Sequence, residues 1–173
     1  MADKRFIKSL KVSLSKQLRL IFKYILLSER ILIIMKIAVV YWSGTGNTEV
    51  MAEYVAEGAK GKGADVELIT ADSFGAAQVA EYDGFAFGCP SMGDEELEET
   101  TFAPMWEEVK GELSGKTVAL FGSYGWGDGQ WMEDWEEDLN DVGASAACDA
   151  VICNNEPDAD AEAACKALGE ALC

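Results

Sequence analysis

The sequence predicts an α/β fold, a doubly wound five-stranded parallel sheet with helices on both faces, occupying residues 35–173. Three observations predict it. After Met35 the apolar pattern switches five times between short continuous runs and helical spacing, the mark of a βαβ succession. Two of the runs, Ile37 to Tyr41 and Phe85 to Cys89, are almost wholly apolar or small, as strands covered on both faces require. The glycine- and serine-rich loops follow strands, where ligands of such sheets bind. With 173 residues, 49% of them hydrophobic, the chain is long enough for one buried core and short for two domains.

Ile37 to Tyr41 is the first strand, and its apolar content predicts a central position. A helix follows from about Asn47, with Val50, Met51, Tyr54 and Val55 on one face, until Gly61 and Gly63 end it. Asp65 to Thr70 alternates polar and apolar residues, which predicts an edge strand. A helical turn around Phe74 to Val79 leads to Phe85–Cys89. The third helix carries Phe102, Met105, Trp106 and Val109 at i, i+3, i+4 and i+7. Thr117 to Gly122 is the fourth strand, followed by a helix with Trp131, Trp135, Leu139 and Val142 along one face. Ala150 to Cys153 is the fifth, and a last helix from about Asp158 carries Ala161, Ala164, Cys165, Leu168 and Leu172.

Residues 1–34 are of a different kind. They hold eight of the 14 basic residues and only Asp3 and Glu29 among the 31 acidic ones, leaving six basic and 29 acidic residues downstream. Leu20, Ile21, Ile25, Leu26 and Leu27 fit the stripe of a basic amphipathic helix on a membrane surface. Charges at Arg19, Lys23, Glu29 and Arg30 keep every apolar run well short of the roughly 20 residues that span a bilayer. Alternatively Met35, which opens the first strand, is the start of translation, and Glu29-Arg30 is encoded by the purine-rich stretch that precedes a bacterial start codon.

Composition excludes several functions. There is no histidine, so hydrolytic triads and zinc sites that need one are excluded. The acidic excess repels nucleic acid and anionic membranes, and suits partners with a basic face. Cys89, Cys148, Cys153, Cys165 and Cys173 form no CxxC pair and read as small buried thiols in a reducing cytoplasm.

Three loops make sense together. Ser43-Gly44-Thr45-Gly46-Asn47-Thr48 lies between a buried strand and a helix N-terminus, with hydroxyls, an amide and free N–H groups aimed at one point. That is a phosphate cradle. It lacks the lysine of a triphosphate-binding loop, and Glu49 stands where a dinucleotide loop needs a third small residue. After the third strand comes Pro90-Ser91-Met92-Gly93-Asp94-Glu95; after the fourth, Ser123-Tyr124-Gly125-Trp126-Gly127. Trp126 among glycines reads as an exposed aromatic platform, so that a planar ring would be sandwiched between it and the polarizable Met92.

On Trp42 to Thr48, Met92 to Glu95 and Ser123 to Gly127 the sequence resembles the flavodoxin family, specifically its short-chain type, from Met35 to Cys173. The strand order 2-1-3-4-5 is implied by this resemblance alone. It also implies bound FMN, with its phosphate on Ser43–Thr48, Met92 and Trp126 on the two flavin faces, and Glu95 at N3. The Gly93–Asp94 peptide would turn over on one-electron reduction, offering the Gly93 carbonyl to N5–H, for which glycine supplies φ > 0. The implied function is a monomeric, low-potential one-electron carrier between semiquinone and hydroquinone. Asp94 to Glu99, Glu133-Asp134 and Glu136 to Asp138 would steer it to redox proteins with basic docking surfaces. The enzyme alternative is an FMN-dependent NAD(P)H or quinone reductase. A receiver-type signalling module needs an aspartate cluster at strand ends, where this chain has Tyr41-Trp42.

Overall fold

A computed structural model describes residues 34–173. The basic segment of residues 1–33, with both readings of it, lies outside the described residues. The order of elements is β1 (Lys36–Tyr41), α1 (Asn47–Gly61), β2 (Asp65–Thr70), β3 (Gly84–Gly88), α2 (Phe102–Val109), β4 (Thr117–Tyr124), α3 (Gln130–Asp141), β5 (Ser145–Ala146), β6 (Val151–Asn154) and α4 (Ala159–Ala171). The segment expected to turn around Phe74–Val79 holds two 3-10 turns, Ala71–Ser73 and Ala76–Glu81.

All the strand pairs are parallel, in the order β2-β1-β3-β4, with β5 and β6 both on the far edge of β4. This is the expected order, with one difference. The fifth position is two short strands rather than one. Ala146 pairs with Val118 and Val151 with Phe121, so four residues intervene on this edge where β4 has two. Ser145-Ala146 has no apolar run, and both residues are exposed, so burial imprints no strand signal there.

Two cores flank the sheet. On one side Phe85, Phe87, Phe102, Trp106, Trp131 and Trp135 pack beneath α2 and α3. On the other Ile37, Val39, Met51, Val55, Phe121 and Leu168 lie beneath α1 and α4. β1 and β3 are buried on both faces, as their composition predicts, whereas β2 buries only Ile69 fully, as an edge strand does. The α4 stripe is narrower than expected: Ala164 is exposed, and Gly169 takes part in the packing instead. A Cβ on Gly169 would overlap the Val55 carbonyl, and one on Gly58 the Lys166 carbonyl, so the two helices cross at backbone contact. None of the five cysteines is bridged; Cys89 and Cys165 are buried, Cys148 and Cys153 partly so, and Cys173 is exposed.

Candidate cofactor site

The carboxyl ends of β1, β3 and β4 converge on a cavity of about 320 Å³. Gly44, Thr45, Asn47, Ser91, Met92, Ser123, Tyr124 and Gly125 line it, all of them expected site residues. Trp42, Pro90 and Asn155 line it as well.

The first loop is shaped by its own polar groups. Ser43 Oγ accepts the Gly46 N–H at 3.1 Å, and Gly46 stands at φ 94 ahead of α1 with no side chain capping the helix. The N–H groups of Thr45, Asn47 and Thr48 accordingly have no partner among the described residues. An uncapped helix start with free donors is an anion site. Thr48 is buried and its Oγ1 lies 3.1 Å from Ser123 Oγ, which ties the loop to β4. Trp42 folds across Gly44, where a Cβ would come within 2.8 Å of the indole. Glu49, the one carboxylate in the first turn, is held by the Tyr41 hydroxyl, which donates to it at 3.1 Å. Burial, and then Glu49, raises the Tyr41 pKa, so that proton stays in place.

The second loop is a small hairpin. Met92 and Glu96 exchange backbone hydrogen bonds of 2.9 and 2.8 Å, leaving Gly93, Asp94 and Glu95 at the tip. Gly93 has φ 49 and nothing within 4 Å of where its Cβ would be. Glu95 also takes positive φ, 59°, and its carboxylate crosses to the third loop, accepting the Gly129 N–H at 2.9 Å. A Cβ on Gly127 would overlap that carboxylate, and Gly127 itself stands at φ 94. The two loops are thus pinned together by one side chain.

Ser91 donates its N–H to the Ser123 carbonyl at 2.9 Å, continuing the β3–β4 pairing into the site. Met92 is 39% and Trp126 61% exposed, large apolar side chains offered to solvent beside the cavity. Trp126, Gly127, Gly93, Asp94 and Glu95 are not in the cavity wall, while Ser43, Gly46 and Thr48 stand behind it. Asn155, which sequence reading passed over, stands at φ 61 after β6, with its N–H on the Tyr124 carbonyl at 2.7 Å. Its signal was an Asn pair after a strand, since Asn tolerates the left-handed region.

Fold and site together define an α/β protein of the mononucleotide-binding kind, whose cavity at the carboxyl ends of the strands has no charged side chain in its wall. The flavodoxin family model matches residues 39–168. The flavodoxin of Clostridium beijerinckii is 48% identical over 134 residues, covering 78% of this chain and 96% of that protein. That of Megasphaera elsdenii is 45% identical over 135 residues, with the same coverage. The solution structure of two-electron reduced Megasphaera elsdenii flavodoxin superposes with a TM-score of 0.73, covering 79% of this chain and 97% of that one. The chain belongs to the flavodoxin family, and with it goes FMN as cofactor and a role in electron transfer.

The residues present fit that cofactor. Three free N–H groups at an uncapped helix and the buried Thr48–Ser123 pair suit a phosphate. Met92 and Trp126 offer apolar surface of the kind a flavin ring needs.

Proposed function

We propose that this protein is a low-potential, monomeric one-electron carrier of the reducing cytoplasm, working between one-electron- and two-electron-reduced FMN and serving redox proteins with basic docking surfaces. Bound FMN supplies the two one-electron steps. Ser43 to Thr48 hold its phosphate, the N–H groups of the first turn of α1 taking the charge that no lysine neutralises. Met92 and Trp126 cover the flavin faces. Ser91, Ser123, Tyr124, Gly125, Gly127 and Asp94 complete the surround, and Glu95 accepts from the N3 side.

The observation that carries this reading is Gly93. Its φ of 49° and the open space around it leave the Gly93–Asp94 peptide free to turn within a hairpin closed by Met92 and Glu96. Turned, the Gly93 carbonyl would be free to accept a hydrogen bond from N5–H of a bound flavin, which would favour the first reduction. The acidic excess, 29 carboxylates after residue 34 against six cations, would oppose adding negative charge to a bound flavin. The two potentials therefore separate, and no side chain has to act as acid or base.

Stepwise photoreduction tests this. A yellow protein that builds up long-wavelength absorbance of a protonated one-electron-reduced flavin before bleaching supports the carrier. Passage straight to the two-electron form, or fast bleaching by NADPH alone, supports a reductase and overturns it.

A further inference from the structure

The phosphate cradle has a competitor in its own helix. Glu49 is the third residue of α1, after Asn47 and Thr48, and the acid of the first turn. From that position a glutamate side chain can reach back over the helix start and cap it. The positive end of the helix attracts such a carboxylate as it attracts a phosphate. Self-capping would set a negative charge where the phosphate has to lie.

The structure shows Glu49 turned aside. No side chain caps α1, and the Gly46 N–H, to which a carboxylate at this position would reach, is held by Ser43 Oγ at 3.1 Å. Glu49 Oε1 instead accepts the Tyr41 hydroxyl at 3.1 Å. Among the described residues Glu49 makes no ion pair, and Tyr41 is its one side-chain partner. Burial, followed by Glu49 itself, raises the Tyr41 pKa, so the hydroxyl stays a donor at neutral pH. Tyr41 and Glu49 line a separate cavity of about 330 Å³, and neither lines the cofactor cavity. Trp42, folded across Gly44, is the one residue common to both walls.

We infer that the Tyr41–Glu49 hydrogen bond keeps the cradle open: Tyr41 is a positioning residue that holds the chain's own carboxylate off the start of α1, so that the phosphate of FMN meets free N–H groups. The inference rests on the reading that Ser43–Thr48 hold the phosphate, and adds the pair that keeps this loop selective for an external anion. Its size follows from populations. The apparent dissociation constant is the intrinsic one divided by the fraction of molecules with an open cradle. One partly exposed hydrogen bond changes that fraction several-fold and no more.

The test is titration of the full chain, freed of FMN, with FMN and with riboflavin, read by quenching of flavin fluorescence. Tyr41→Phe should weaken FMN binding roughly three- to tenfold, because the released Glu49 closes the cradle part of the time. Glu49→Ala should bind FMN as tightly as the parent protein or more tightly, having lost the competitor. The double variant Tyr41→Phe/Glu49→Ala should match Glu49→Ala to within about twofold, since no carboxylate is left to restrain. Equal weakening by Tyr41→Phe and Glu49→Ala would mean that the bond merely braces the loop, and would overturn the inference. An unchanged FMN affinity in Tyr41→Phe, or a double variant as weak as Tyr41→Phe alone, would overturn it too. If the unaltered protein bound riboflavin as tightly as FMN, the phosphate reading of Ser43–Thr48 would fall, and the inference with it.

Discussion

Glu98 is the most constrained carboxylate of the described residues, 5% exposed, with its oxygens accepting the N–H groups of Thr100, Thr101 and Phe102 at 2.8–3.0 Å and also the Thr100 hydroxyl. Burial alone would raise its pKa, but these hydrogen bonds outweigh it and hold the pKa below the usual value. Since the folded pKa lies below the unfolded one, the stabilisation is full above about pH 4.3 and is lost as pH falls through the folded value. Glu98→Ala should therefore cost about 1–3 kcal/mol near neutral pH, and the gap from the parent protein should close in acid, as urea unfolding at several pH values would record. At Gly93 the expected effect is electrochemical. Turning the Gly93–Asp94 peptide changes ψ of residue 93 at positive φ, where an L residue has only the narrow left-handed well, so Gly93→Ala should penalise the turned state by about 1–2 kcal/mol and lower the midpoint of the first reduction by about 40–90 mV in a spectroelectrochemical titration, while the fold is retained.

Among elements, the crossing of α1 and α4 is set by two missing side chains. Gly58 faces the Lys166 carbonyl and Gly169 the Val55 carbonyl, both at backbone contact. An added methyl cannot be absorbed by a rotamer change there, since backbone must move. Gly58→Ala is helix-favouring by about 1 kcal/mol in isolation, yet overpacking of about 1–3 kcal/mol should win, lowering the thermal midpoint. An unchanged or higher midpoint would mean that the helices separate freely. Lys166 pairs across the same crossing with Glu57 at 2.8 Å and along α4 with Glu162 at 2.7 Å, but these pairs are partly exposed and contribute little.

Over the whole molecule, charge dominates. Six cations against 29 carboxylates after residue 34 repel one another in the folded state and attract basic partners from a distance. Raising salt from 20 to 500 mM shortens the Debye length several-fold, from about 20 Å to about 4 Å. The thermal midpoint should rise with salt while the rate of electron transfer to ferric cytochrome c falls by about tenfold or more. A rate insensitive to salt would exclude steering by this field. Burial acts alongside charge on the thiols: it pushes Cys89 up to about 12, and Cys165 likewise, which leaves them protonated and inert in the cores.

Most of the fold was legible because strands β1 and β3 and helices α2 and α3 each carry their burial as a local period, and the loops that meet at the cavity because Ser43–Thr48 and Ser123–Gly127 concentrate residues that a plain turn does not need. By itself the sequence determined the alternation of strands and helices, the charge field and the glycine-rich loop that opens the first helix, all read from short segments. Only the tertiary structure decided the rest. It split the fifth strand, brought Asn155 under Tyr124, sent Glu95 across to Gly129, set Glu98 on the start of α2 and left Trp135 without an acceptor between two helices. The contacts among these that cross between elements join residues about 30 positions apart, and no local pattern records them, because they depend on the register at which whole elements meet.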